Sequence, residues 1–179
     1  VQAMVLDTSG RLVIAGATAS LSQMDWLLAR FFTDGTLDTS FQTRGYLTMT
    51  LNTANEEWQG LRIQSDGKIV TVGTGTAGTA PLTRLYAARY ATNGQIDTTF
   101  KTTGLTSWTH VGGANLASAI DIGDGVIFTG GWESNSTYYW SIARFATDGS
   151  AAGGTGGVPS FGTSGLMTIN FGTGDTAYA

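Results

Sequence analysis

Short apolar runs broken by polar turns pattern this chain, and the runs return in step. Leu12-Val13-Ile14-Ala15-Gly16, Ile69-Val70-Thr71-Val72-Gly73 and Val126-Ile127-Phe128-Thr129-Gly130 each follow a turn, Ser9-Gly10, Asp66-Gly67 or Asp124-Gly125, whose glycines lie 57 and 58 residues apart. Further on, each copy carries Ala-Arg and an aromatic: Ala29-Arg30-Phe31, Ala88-Arg89-Tyr90, Ala143-Arg144-Phe145. A second turn follows at once, as Thr33-Asp34-Gly35, Thr92-Asn93-Gly94 and Thr147-Asp148-Gly149. This Asp/Asn-Gly chemistry lets two antiparallel strands join through positive φ. Last comes a Phe with a Gly four residues on, Phe41/Gly45, Phe100/Gly104 and Phe161/Gly165. β-Branched and aromatic residues dominate the runs, and turns interrupt them before a helix can nucleate, so they read as strands. The spacing predicts four strands per unit, in the middle copy over 58–63, 68–72, 85–91 and 105–109.

Four antiparallel strands joined by tight turns and repeated at a period above ~40 residues predict an all-β, β-propeller-type repeat, whose blades bury their faces only by packing on neighbours. A parallel β-helix fits less well, because its coils are shorter and lack paired hairpin turns. The order of landmarks, with residues 66–73 and Leu37-Asp38-Thr39-Ser40-Phe41 matching best, resembles the delta-60 repeat family along essentially the whole chain. That resemblance implies propeller-like blades in large, mostly bacterial, often secreted or surface proteins, and it implies no catalytic residues. The third copy departs from the pattern. Arg to Phe takes 11 residues in the first two copies and 17 in the third, where residues 151–159 replace the expected Leu-Asp and read as a flexible surface loop.

The 14 residues after Gly165 and the 10 up to Gly10 together resemble one ordinary connection between copies. The expectation is a single repeat domain over 1–179, cut from a longer array or closed through strand exchange or association. Bare apolar faces are expected to be covered by other blades or subunits.

Composition narrows the class. With 41% hydrophobic and 12% charged residues there is apolar material for a core and too little charge for disorder. A net charge of −4 makes nucleic acid an unsuitable partner, since phosphate binding needs a clustered basic face. Cysteine is absent, which removes disulfides and thiolate metal sites and fits both bacterial surface proteins and a reducing compartment. No apolar stretch is long enough to span a membrane, and no signal peptide is visible.

Candidate chemistry is sparse. Gly73-Thr74-Gly75-Thr76-Ala77-Gly78 matches the dinucleotide fingerprint formally and has Asp97 downstream. The fingerprint needs a helix after its third glycine, whereas Thr79-Ala80-Pro81-Leu82-Thr83 leads into another strand. A loose inter-strand loop is expected there, equivalent to those at 17–25 and 132–139, and no cofactor is expected. Arg30, Arg89 and Arg144 sit between Ala and an aromatic in strand centres, where a guanidinium needs a carboxylate or carbonyls of its own or an adjacent blade. Asp38 and Asp97 are the natural partners. The third copy lacks the aligned Asp, leaving Arg144 to use Asp148 or backbone. His110 is the only histidine and has no nucleophile motif near it. Glu56-Glu57 reads as part of an inter-blade connection and Asp121 and Asp124 as flanking a turn, all solvated and without a calcium-loop series.

Aromatics carry the remaining expectation. Trp26, Tyr86 and Trp140 recur just before the Ala-Arg strand and are expected in the packing. Trp132, Tyr138 and Tyr139 lie in or beside Glu133-Ser134-Asn135-Ser136-Thr137, a polar segment unique to the third copy, and are the candidate ligand-binding residues. Asn135-Ser136-Thr137 is also a glycosylation acceptor pattern. Together these features predict a secreted or cell-surface structural and adhesive recognition module, not an enzyme, whose rigid blades display loops to protein or glycan. The alternatives are a propeller-borne hydrolase or lyase completed outside this chain, and an architectural spacer in a surface fibre.

Overall fold

The computed structural model describes residues 1–20, 23–51, 55–76, 83–108, 114–123, 126–134, 138–150 and 165–169. These form twelve strands in three four-stranded antiparallel sheets, each in sequential order. The first sheet is β1 (Ala3–Leu6), β2 (Leu12–Ser20), β3 (Gln23–Phe31) and β4 (Tyr46–Met49). The second is β5 (Glu57–Ile63), β6 (Ile69–Thr76), β7 (Thr83–Tyr90) and β8 (Leu105–Trp108). The third is β9 (Ala114–Gly123), β10 (Val126–Ser134), β11 (Tyr138–Ala146) and β12 (Leu166–Ile169). The chain is thus an all-β, β-propeller-type repeat, with the predicted strands of the middle copy within a few residues of the observed ones.

The sheets stack face on face around two apolar layers. Between the first and second lie Val13, Ala15, Trp26, Leu28 and Phe41 against Trp58, Leu61, Ile69, Tyr86 and Tyr90. Between the second and third lie Val70, Val72, Leu85, Ala87 and Phe100 against Ile120, Ala143 and Phe145. The middle sheet is therefore covered on both faces, which is why β6 is buried along nearly its whole length and does not alternate. At the centre of the first layer Trp26 stacks on Trp58 with centroids 4.2 Å apart, Tyr86 meets Trp26 edge-on, and the Trp26 indole N–H donates to the Thr74 carbonyl at 3.0 Å.

Tyr86 is not the register equivalent of Trp26. Trp26 pairs with Met49, and the corresponding pair in the second sheet is Leu85 with Trp108. A shift of one residue turns a strand side chain to the other face, so Trp26 points forward, Tyr86 points back, and they meet in one layer.

Several expected loops are strands. Gly73-Thr74-Gly75-Thr76 completes β6, while Ala77 and Gly78 lie outside the described residues. The glycines serve packing: a Cβ on Gly73 would lie 2.1 Å from the Glu57 carbonyl oxygen, and one on Gly75 would press on Glu56, Trp26 and Tyr86 at 3.1–3.2 Å. Residues 17–20 and 23–25 likewise extend β2 and β3. Glu56 is fully buried, not solvated, its carboxylate accepting the Leu51 N–H at 3.2 Å, and Glu57 opens β5. Asp121 lies in β9 rather than at a turn, with its side chain exposed, while Asp124 is outside the described residues.

The second turn does not lead straight to the outer strand. After Thr33-Asp34-Gly35 the chain makes a single bridge, Phe31 with Leu37, and crosses eight more residues before β4 starts at Tyr46. The same bridge, Tyr90 with Ile96, recurs in the second copy. That interposed loop holds the landmark Leu/Ile-Asp-x-Ser/Thr-Phe.

Candidate functional site

The landmark residues converge at the end of each sheet that bears the β1–β2 and β5–β6 turns. Leu37 and Ile96 fill the space over Gly45 and Gly104, where a Cβ would come within 2.3 and 2.2 Å of them. One residue on, Asp38 accepts the Arg30 Nε–H at 2.7 Å and Asp97 the Arg89 Nε–H at 2.8 Å. Each carboxylate also holds its own turn, accepting the backbone N–H and hydroxyl of Ser40 or Thr99. The guanidiniums then reach forward. Arg30 Nη1 donates to the Thr92 carbonyl of the second sheet, and Arg89 Nη1 to the Thr147 carbonyl of the third.

Phe41 and Phe100 complete this latch. Each ring lies under its own arginine, with the guanidinium carbon 4.7 and 5.1 Å from the centroid, and abuts the turn glycine of the next sheet. A Cβ on Gly94 would lie 2.6 Å from Phe41, and one on Gly149 2.7 Å from Phe100. The next backbone N–H, of Gln42 or Lys101, donates to the carbonyl of Asn93 or Asp148 at 3.0 and 2.8 Å. Arginine, aspartate, phenylalanine and glycine of the repeat thus join one sheet to the next. Arg144 makes the same backbone bond as its counterparts, N–H to the Gly165 carbonyl at 2.8 Å. Phe161 and residues 151–159 lie outside the described residues.

A second cation extends each charge pair. Arg11 bridges Asp7 at 2.7 Å and Asp38 at 3.4 Å, and Lys68 bridges Asp66 and Asp97, each at 3.4 Å. Burial alone would raise the Asp97 carboxyl, but the Thr99 hydroxyl and amide with Arg89 and Lys68 outweigh it and bring it down to about 2. Asp38 is lowered in the same way: burial opposes, and Ser40 and Arg30 prevail. Between first and second sheets the space beside this relay is a small cavity lined by Asp7, Arg11, Arg30 and Thr92 among others. Between second and third it widens to an open polar cleft of about 460 Å³ beside Lys68, Arg89, Thr99 and Asp148.

The expected ligand-binding aromatics are at the opposite end. Trp132 is in β10, and Tyr138 and Tyr139 open β11, flanking the hairpin tip rather than lying in a loop. Register sets Trp132 opposite Trp140, Glu133 opposite Tyr139 and Ser134 opposite Tyr138. Asn135, Ser136, Thr137 and His110 lie outside the described residues. Among the described residues no three His, Cys, Asp or Glu side chains gather to hold a metal ion, and no helix is long and apolar enough to cross a membrane.

Residues 8–41 and 64–100 match the family model of a domain of unknown function (DUF5122), beta-propeller. Both stretches run from the first turn to the latch phenylalanine, Phe41 or Phe100, so the match covers the repeat's central hairpin and its latch. No curated protein matches this chain.

Sequence reasoning paired Arg30 with Asp38 and Arg89 with Asp97 and offered the guanidiniums carbonyls of an adjacent blade, as Thr92 and Thr147 provide, but missed the forward reach of phenylalanine to the next sheet's turn. A signal was present: turn glycine and phenylalanine recur together in every copy. Glu56 was also missed as a buried group, since two adjacent glutamates read as polar.

Proposed function

We propose that the chain is an extracellular or cell-surface structural and adhesive recognition module of the delta-60 repeat type, without catalysis of its own. The observation that carries this reading is that the repeated polar and aromatic residues are structurally engaged: Arg30/Arg89 and Phe41/Phe100 join sheet to sheet, and Asp38/Asp97 hold the arginines in place. Recognition then falls to segments that differ between copies, above all the β10–β11 tip with Trp132, Tyr138 and Tyr139. Aromatic side chains suit the faces of a sugar or an apolar patch on a protein. Other sheets or subunits cover the outer faces of the stack.

Carboxylate chemistry points the same way. Asp7, Asp34, Asp38, Asp97 and Asp148 are all lowered, each by hydrogen bonds within its own turn or loop. These five are therefore unsuited to be the general acid of glycoside cleavage, which needs a carboxyl kept protonated near neutral pH.

A glycan array probed with the intact chain, beside Trp132→Ala, Tyr138→Ala and Tyr139→Ala variants, tests the reading. Binding that falls tenfold or more in at least one variant, with unchanged circular dichroism, is the expected result. Cleavage of an arrayed glycan would instead establish the hydrolase or lyase alternative. Binding to nothing, with polymerisation of the chain, would favour a spacer.

A further inference from the structure

The two joints between sheets are alike in plan but not in the space they leave. Beside Arg30 the first joint leaves a cavity of about 50 Å³, whereas beside Arg89 the second leaves the open cleft of about 460 Å³. The larger volume falls within the roughly 300–1,000 Å³ typical of small-molecule sites.

One turn of each joint shows what sets them apart. Asp7 N–H donates to the Arg11 carbonyl and Gly10 N–H to the Asp7 carbonyl, just as Gln64 N–H does to Lys68 and Gly67 N–H to Gln64, all at 2.8–2.9 Å. Asp7 and Gln64 thus hold equivalent places in one backbone frame, and so do Arg11 and Lys68. In the first turn both side chains are taken up. Asp7 accepts the backbone N–H of Ser9 and of Arg11 and the Arg11 Nε–H, and Arg11 continues to Asp38.

In the second turn an amide and an ammonium stand in their place and are left with bonds to make. Gln64 Oε1 is buried and accepts no hydrogen bond among the described residues. A buried acceptor without a donor is unfavourable, and the soft end of the side chain lets Oε1 turn toward a donor in the cleft. Lys68 Nζ lies 3.4 Å from both Asp66 and Asp97, farther than the ~2.7–2.9 Å of a charge-assisted hydrogen bond, so its N–H donors stay available. Across the cleft Asp148 uses Oδ1 to hold Ser150, while its Oδ2 accepts nothing among the described residues.

Charge narrows what fits there. Asp66, Asp97 and Asp148 outnumber Lys68 and Arg89, which disfavours an anion, and the two cations themselves repel a cation. What suits a spare donor and two spare acceptors together is a neutral group that both donates and accepts, and a hydroxyl does so from one atom. We propose that the cleft between the second and third sheets binds a neutral sugar, with Gln64 and Asp148 accepting from its hydroxyls and Lys68 donating to one. This site lies at the latch end, away from the tip with Trp132, Tyr138 and Tyr139, and either can fail without the other.

Backbone amide NMR of the full chain, titrated with the methyl glycosides of glucose, galactose, mannose, fucose and N-acetylglucosamine, tests it. Saturable shifts at residues 64–68 and 147–149 are expected with at least one of them. Glucuronate and glucosamine, the anionic and cationic counterparts, are expected to bind about tenfold more weakly or not at all. Gln64→Leu is expected to weaken binding by about tenfold or more. The deciding variant is Gln64→Asp with Lys68→Arg, which rebuilds the first joint's turn in the second: it is expected to lose the sugar while melting no lower than the unaltered chain. If circular dichroism shows that it does not fold, Gln64→Leu decides alone. The proposal is overturned if none of the five glycosides shifts these residues, if a charged sugar binds as tightly as the best neutral one, or if the deciding variant binds unchanged. Shifts confined to the β10–β11 tip overturn it as well, and leave the reading of that tip standing.

Discussion

Asp97 shows how one carboxylate can serve a fold without serving a reaction. It accepts from Arg89 and from the amide and hydroxyl of Thr99 in its own turn and faces Lys68, and against the opposing effect of burial these contacts lower its pKa to about 2 from an ordinary value near 4. Because the folded value lies below the unfolded one, the stabilisation is complete above pH about 4 and is lost as pH falls towards 2. The contribution is of order 2 kcal/mol at neutral pH. Thermal midpoints of the unaltered chain and of Asp97→Asn are therefore expected to differ most at neutral pH and to converge near pH 2. A gap of constant size down to that pH would show that the ionised carboxylate is not what stabilises the joint. The pairing itself was legible in the sequence, since a strand-centre arginine demands an acceptor and an aspartate follows eight residues later. What could not be read was which carbonyl of the adjacent sheet the guanidinium meets, that of Thr92 or Thr147, which lie 62 and 58 residues away along the chain.

Latch and turn separate at the level of the element. Gly35 and Gly94 share one left-handed backbone geometry but differ in what surrounds them: open space at Gly35, the Phe41 ring at Gly94. Alanine at either position suffers the same backbone penalty, about 1–2 kcal/mol. At Gly94 the methyl must also displace a fully buried ring, which adds about 1–3 kcal/mol. Denaturant unfolding at dilutions that keep the chain monomeric is expected to find Gly94→Ala the less stable by that increment. Equal losses would mean that the phenylalanine yields freely and the latch contributes little. Strand identity was readable wherever β-branched runs met turns. It failed at Gly73-Thr74-Gly75-Thr76, because glycine and threonine resemble a loop until the neighbouring sheet supplies Trp26 and the adjacent strand β5 the Glu57 carbonyl, against which only small residues fit.

For the molecule as a whole, burial on both faces singles out the middle sheet. Strands β6 and β7 are packed from either side, while β1 exposes Met4 and Leu6. Amide hydrogen exchange is accordingly expected to be slowest in β6 and β7 and fastest among the strands of the first sheet in β1. Uniform protection across all three sheets at high dilution would contradict the layered distribution of stability.

The sequence by itself determined the number of units, the strands within them and most of the turns, because local backbone preference and a two-residue alternation act over a few positions and leave their mark in each copy. It also determined that arginine and aspartate pair within a unit. Tertiary structure alone decided which face each strand turns to its neighbour, as Trp26 and Tyr86 show by meeting from opposite sheets one register apart. It decided, too, that Glu56 is buried and that Phe41 and Phe100 belong functionally to the following sheet. Those outcomes depend on contacts between residues far apart in the chain, whose free energy exists only once the sheets have stacked and water has left the layers between them.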